Sequence, residues 1–313
     1  MIMQNKYGEF YLKKVYLILS HGRRLSGFSG LVRELQEEGI SCVAMLAEEA
    51  YLLEPEALYI TDCDEVLVQL TQAECAVAVY LHEGNRQEDL SAARYAFEDP
   101  EGLDAEYVER IYRRYRDIPW DILETERCFL RETVPDDVDA FYEIYSVPEM
   151  TRYTEALYES KISERAYIRE YIEKIYRYFE FGVWTVILKE TGEVIGRAGL
   201  NVREGYDMPE LGYVIGQPWQ GRGIATEVCH GILEYATTYF GFERVMTLIQ
   251  TGNEKSLRIA EKLGFCMQES LMRKEQSKDM QTEREVNYWL LIWQGENLKT
   301  LPKKEDTNVY SGQ

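Results

Sequence analysis

The sequence predicts an α/β chain built as two units, a small parallel α/β unit followed by a larger mixed one. Three observations carry that expectation. The 313 residues exceed what a single hydrophobic core ordinarily organises. Through residue 124, short unbroken apolar runs alternate with amphipathic stretches, as strands buried on both faces alternate with helices. From residue 125 the pattern changes to hairpin signals and longer helical stripes.

In the first unit, residues 1–124, the apolar runs are 15–19, 42–46, 57–60, 76–81 and 94–97. Phe28, Leu31, Val32 and Leu35 share one helical face. Asp104 is placed to cap a helix whose stripe is Val108, Ile111, Tyr112 and Tyr115. Strand–helix alternation of this kind predicts a small parallel, Rossmann-like sheet. Gly22 to Ser29 has the glycine spacing of a phosphate loop, but Phe28 stands where lysine is required, so the stretch reads as a loop leading into a helix. Asp62 and Asp64 follow a strand, where open α/β sheets place ligands, and such a pair can hold magnesium. The alternative is a turn with a helix cap, which is the reading adopted. The unit resembles a haloacid-dehalogenase-type fold, whose catalysis needs an aspartate after the first strand. Here that strand ends Leu19-Ser20-His21, so the unit is expected to be non-catalytic and to serve regulation, docking or specificity.

In the second unit, 125–296, residues 128–132 read as a strand. Pro135-Asp136-Asp137 opens a helix, with proline and acids where a first turn favours them. Ser163 opens another, with Ile168, Ile172, Ile175 and Phe179 as its stripe; the tyrosines around it pack with their hydroxyls in water. Residues 183–188 and 194–200 flank a Thr191-Gly192 turn and form a hairpin. Residues 210–215 form the next strand, and a helix runs from about 224 to 240. A strand at 244–249 leads to a helix begun by Asn253 and ended by Gly264. Two last strands follow Phe265 and Glu285, and the polar tail 297–313 is expected to be disordered.

Charge and composition exclude several functions. Hydrophobic content of 45% supports two cores, and a formal net charge of −20 argues against nucleic acid as a partner. The same charge suits cationic substrates such as amines or basic peptides, or simply solubility. Six scattered cysteines contain no CxxC pair and read as buried thiols in a reducing compartment. Three well-separated histidines show no metal-ligand spacing, so no metal is expected. No signal-peptide pattern or spanning segment is present, so a cytoplasmic protein without membrane contact is expected; the oligomeric state has no sequence signal.

The chemistry centres on Gln220-Gly221-Arg222-Gly223-Ile224-Ala225-Thr226, between a strand and a helix. Small residues at 221, 223 and 225 admit a diphosphate to the backbone. The N–H groups of 221–226 lie at the positive end of the helix, Arg222 adds charge and Thr226 a hydroxyl donor. This Gln-x-x-Gly-x-Ala pattern resembles the acyl-CoA motif of the GNAT superfamily of N-acetyltransferases. Four further features occur in that family's order: Glu210-Leu-Gly-Tyr-Val-Ile before the motif, Asn253-x-x-Ser256 opening the next helix, Glu261-Lys-Leu-Gly264-Phe265 ending it, and Asn287-Tyr288-Trp289 in a closing strand. The last is similar to the branch that acetylates N-termini of ribosomal proteins. The resemblance covers about 125–296 and implies a central mixed, mostly antiparallel sheet with acetyl-CoA as cosubstrate.

It also implies roles. The strand at Tyr213, Val214 and Ile215 would splay from its neighbour, pair with the pantetheine arm and polarise the thioester carbonyl. Ser256 would protonate the leaving sulfur, and Asn253 would cap its helix or touch CoA. Tyr213 and Trp219 would line the acceptor pocket or simply pack. Two glutamates compete as general base. Glu275, by its spacing from Ser256, is taken first; Glu210 is the alternative or an amine-binding group. The expected activity is direct acetyl transfer in a ternary complex to a primary amine, either a protein N-terminus or a small amine. The rival reading is a non-catalytic CoA-binding sensor or scaffold whose first unit binds a partner. The acceptor choice would lie with the glutamates and the loops at 146–162 and 203–209.

Overall fold

The structure is a computed structural model and describes residues 11–20, 22–276 and 283–296, without the side chains of 22–24, 275, 276 and 283. His21 and the tail 297–313 lie outside the described residues. The chain divides into two compact units, Met1–Trp120 and Asp121–Gln313. No helix among the described residues is long and apolar enough to cross a membrane.

The first unit contains β1 (Lys14–Leu19), α1 (Ser29–Glu37), β2 (Ser41–Leu46), β3 (Ala57–Thr61), α2 (Asp64–Gln72), β4 (Ala76–Tyr80), β5 (Tyr95–Phe97) and α3 (Ala105–Tyr115). Its sheet has the order β2-β1-β3-β4-β5, and every pairing is parallel. β3 is buried throughout because neighbours flank it and helices cover it. β2 departs from the expectation of burial on both faces: as an edge strand it has no fully buried residue. The Asp104 side chain caps α3 by accepting from the Tyr107 N–H at 2.7 Å. Phe28, standing where a phosphate loop needs lysine, is fully buried in the core with Leu31 and Leu35.

Asp62 is not a helix cap. It is fully buried and accepts from the Ser20 N–H (2.6 Å) and Ser20 hydroxyl (2.9 Å). His82 Nε2 lies 3.1 Å from the same carboxylate, and His82 Nδ1 accepts from the Gly84 N–H at 2.9 Å, so Nε2 is the nitrogen left to donate to Asp62. The carboxylate thus ties together the carboxyl ends of β1, β3 and β4. Asp64 instead clusters with Cys63 and Glu88, with ligand atoms within 4.8 Å of one another.

The second unit contains β6 (Asp121–Glu124), β7 (Cys128–Arg131), α4 (Val138–Tyr145), α5 (Lys161–Tyr171), α6 (Arg177–Phe179), β8 (Val183–Leu188), β9 (Val194–Asn201), β10 (Glu210–Ile215), α7 (Ile224–Thr238), β11 (Arg244–Gln250), α8 (Glu254–Lys262), β12 (Cys266–Gln276) and β13 (Glu283–Gln294). The sheet order is β12-β13-β11-β10-β9-β8-β7-β6. Only β10–β11 is parallel, since α7 crosses between them; the other pairings are antiparallel. The division between units falls at Trp120, ahead of the expected 124, because β6 pairs with β7.

Two local expectations change. α5 begins at Lys161 rather than Ser163, since the Ser160 hydroxyl accepts from the Ile162 N–H at 3.2 Å. A π turn, Ile172–Tyr176, joins α5 to α6 and shifts the buried stripe so that Tyr176 is fully enclosed. Tyrosines 171 and 176 therefore keep their hydroxyls inside: Tyr171 accepts from the Val183 N–H (2.9 Å), and Tyr176 donates to the Val183 carbonyl (2.5 Å) while accepting from the Thr133 N–H (3.0 Å).

Candidate active site

The site starts where β10 and β11 part. Their only residue pairing is Glu210 with Met246. Beyond it, β10 continues to pair with β9 through Ile215 without a register break. The Pro209 carbonyl accepts from the Met246 N–H (2.9 Å), and the Gly216 N–H donates to Ile195 on the opposite side (2.8 Å). Backbone alternation between these two points turns Tyr213 N–H and C=O and the Ile215 N–H toward the gap. Val214, expected as a third backbone ligand, has its N–H and C=O turned to β9 opposite Arg197.

The loop after β10 is held by its own side chains. Gln220, the first motif residue, donates from Nε2 to the Ile215 carbonyl (2.9 Å) and so closes the gap at that end. Gly221 and Gly223 adopt left-handed backbone, with φ of +74° and +79°. A Cβ at Gly221 would meet nothing within 4 Å, so glycine is required by conformation rather than by space. Gly223 precedes α7 without any side-chain cap bond, leaving the first N–H groups of that helix, Ile224, Ala225 and Thr226, without a side-chain partner. Arg222 is exposed. This is the geometry of an anion site.

The register also sorts side chains by face. Tyr213 pairs with Ala198 and lies near Cys229 of α7; Glu210, Gly212 and Val214 point the other way, with Arg197 stacked 4.8 Å over Phe141 of α4. The Tyr213 hydroxyl is buried with no hydrogen-bond partner within bonding distance. Burial pushes its pKa up, with Cys229 adding to the rise and the neighbouring Ser256 hydroxyl opposing it. Ser256 is half-buried on α8, whose start is capped by Asn253: its Oδ1 accepts from the Ser256 N–H at 3.2 Å. Trp219 packs its ring against Gly216, where a Cβ would come within 2.9 Å of it.

Glu210 is buried on the opposite face, bonded to Arg203 through Nε (2.7 Å) and Nη2 (2.6 Å). Burial raises its pKa, outweighing Arg203 and the Leu248 N–H, which lower it. Glu275 pairs with Arg284 in the β12–β13 ribbon, but its side chain lies outside the described residues. The structure thus joins Tyr213, Ser256 and Asn253 on one side of the gap and Glu210 on the other. A shallow cavity of about 430 Å³ near Pro209 and Arg244 sits at the paired end of β10 and β11, and none of these four side chains lines it.

One contributor was not anticipated. Arg127, in the β6–β7 turn, bonds Glu227 in the first turn of α7 and reaches the carbonyl of Arg222. No local motif marks it, because its partners lie far along the chain.

Residues 127–266 match the family model described as an acetyltransferase (GNAT) domain. This chain carries a GNAT acetyltransferase domain. Curated relatives are similar over a little under half of the chain. N-acetyltransferase p20 of Bacillus licheniformis, itself uncharacterized, is 28% identical over 152 residues, 48% of this chain and 85% of that protein. The uncharacterized N-acetyltransferase YoaA of Bacillus subtilis is 29% identical over 146 residues, 46% of this chain and 82% of its own length. Acetyltransferase Pat of Mycolicibacterium smegmatis is 30% identical over 151 residues, 47% of this chain and 44% of Pat. Among solved structures, the ribosomal-protein-S5-alanine acetyltransferase from Vibrio fischeri aligns with a TM-score of 0.47 at 15% identity, covering 56% of this chain and 96% of that one. The GNAT match spans the gap, the anion loop and Ser256; Glu275 lies beyond its last residue.

Proposed function

We propose that the second unit transfers an acetyl group from acetyl-CoA directly to a primary amine within a ternary complex. The observation that carries this reading is the adjacency of an uncapped, glycine-bearing helix start to a strand gap with free backbone groups. The first suits a diphosphate and the second an amide-bearing pantetheine arm. Tyr213 or Ile215 N–H would then stabilise the oxyanion of the tetrahedral intermediate.

The chemistry divides across the sheet. On the α4 face, Glu210 takes the proton of the attacking ammonium, its affinity for that proton increased by burial. The amine nitrogen bonds the acetyl carbon, and the carbon–sulfur bond breaks. On the α7 face, the Ser256 hydroxyl gives its proton to the departing thiolate and takes in exchange the second proton that the amine nitrogen releases as the amide forms, so both serine and sulfur end protonated; Tyr213 stands behind Ser256 as its neighbour. Glu275 stands as the second candidate for the base. The acceptor, a protein N-terminus or a small amine, is set by the groups around Glu210 and the loops at 146–162 and 203–209. No metal has a role in this scheme.

The test is an acetyl-transfer screen of the full chain with acetyl-CoA over N-terminal peptides, polyamines and aminoglycosides, read by free-thiol release. A parallel melt with millimolar acetyl-CoA reads binding. Amine-dependent thiol release and an upward melting shift are expected; absence of both would overturn the reading.

A further inference from the structure

A carboxylate stands where the proposed ligand would bring negative charge. Glu227 lies in the first turn of α7, next to the N–H groups that face the anion site. Left ionised and unpaired, it would repel a diphosphate and oppose the helix's own field. Its environment also keeps it ionised: burial pushes its pKa up, but bonds from Thr125 and Arg127 outweigh this and hold it below the ordinary glutamate value.

Arg127 meets this carboxylate three times. Its backbone N–H donates to Glu227 Oε1 (2.7 Å), its Nε to Oε2 (2.6 Å), and its Nη2 lies 2.6 Å from Oε2. Nη1 donates to the Arg222 carbonyl at 2.8 Å, and Nη2 would lie 3.6 Å from a Cβ built on Gly223. One guanidinium therefore grips both the acid in the helix and the carbonyl between the two left-handed glycines. The Arg127 side chain remains 41% exposed, so its charge reaches the loop surface.

We propose that Arg127 is a positioning residue that makes the 221–226 loop competent for a diphosphate, by covering the charge of Glu227 and holding the Arg222 carbonyl turned away from the ligand. The inference rests on the acetyl-CoA reading and adds a residue outside the glycine motif. A carbonyl pointed into an anion site would repel the ligand as the carboxylate does, so one side chain removes two obstacles. The effect is confined to the charged end of the cofactor and does not extend to the thioester.

The test compares two acetyl donors on the full chain, acetyl-CoA and S-acetyl-pantetheine, which lacks the diphosphate. Binding of CoA is measured by calorimetry, and melting without ligand controls for folding. Arg127→Ala should weaken CoA binding by about tenfold or more, as expected for an uncovered like charge at short range in a partly screened site. Its KM for S-acetyl-pantetheine should match that of the wild type. Glu227→Gln in the same chain should recover most of the CoA affinity, and Arg127→Lys should fall between the wild type and Arg127→Ala. The proposal is overturned if Arg127→Ala binds CoA like the wild type, if both donors lose equally, or if the double variant recovers nothing. A wild type that binds no CoA would instead overturn the acetyl-CoA reading.

Discussion

Glu210 and Met246 form the one pairing between β10 and β11, and the strands separate from that point on. Glu210 is thus both the last residue held by the intact parallel ladder and the first side chain at the opening. Its carboxylate is buried with its pKa raised, yet anchored by Arg203, a combination suited to a base kept in one orientation.

This predicts a pH signature. The acid limb of kcat/KM in the wild type should lie above the ordinary glutamate value of about 4.3. Glu210→Gln should abolish that limb and lower kcat by roughly a hundredfold or more. If the variant keeps both rate and profile, Glu275 becomes the base, and Glu275→Gln should then show the loss.

The same shift has a stability consequence. A carboxylate whose folded pKa is raised stabilises the fold fully below its unfolded value and loses that contribution as pH rises through the folded pKa. The wild type should therefore lose melting temperature relative to Glu210→Gln as pH rises from the unfolded glutamate value of about 4.3 through the raised folded pKa. Parallel melting curves for the two proteins across this range would contradict the assignment.

Gly223→Ala places a Cβ on left-handed backbone, at a cost of about 1–2 kcal/mol. The nearest group, Arg127 Nη2 at 3.6 Å, leaves room for the methyl, so the cost is conformational. The variant should fold with a modest loss in denaturant midpoint and bind CoA more weakly than that loss explains. Unchanged CoA affinity in calorimetry would move the anion site elsewhere.

Ser256→Ala should reduce kcat by about tenfold to a hundredfold with little change in CoA affinity. Tyr213→Phe should reduce it less, and the double variant should be no worse than Ser256→Ala, because the Tyr213 hydroxyl acts only through its neighbour Ser256. Additive losses in steady-state kinetics would mean that they act separately.

In the first unit, Asp62→Ala removes the buried acceptor of the Ser20 N–H and hydroxyl and of His82 Nε2. Loss of one partner from a buried charged network costs about 3 kcal/mol. Guanidinium unfolding followed by probes in each unit should show an earlier transition in the first unit, with acetyl transfer in the second preserved below it. Coincident wild-type-like transitions would show that the carboxylate adds little.

The order of strands and helices and the glycine loop that opens α7 were legible because they depend on neighbours in sequence: apolar period, Gly221 and Gly223 before a helical stripe, Asn253 before Ser256. What escaped depends on distance along the chain or on sheet position. Arg127 and Glu227 are 100 residues apart, and nothing local to either announces the pair. The edge position of β2 and the enclosed hydroxyls of Tyr171 and Tyr176 follow from strand order and a π turn, which apolar periodicity does not encode. Asp62 looked like a cap because capping is local, whereas its carboxylate's partners come from the ends of two other strands. Val214 was grouped with its neighbours because backbone direction alternates residue by residue, and only the β9 register assigns it.

The tie from Gln220 to the Ile215 carbonyl, with Trp219 wedged against Gly216, fixes the length of chain between the gap and the glycine loop. Under the proposed acetyl-CoA reading, that makes the two half-sites a caliper. A carrier whose charged head sits in the loop delivers its thioester beside Tyr213 only if its arm spans the set opening. Selection among acyl carriers would then be made by reach, before any group on the acyl chain is read.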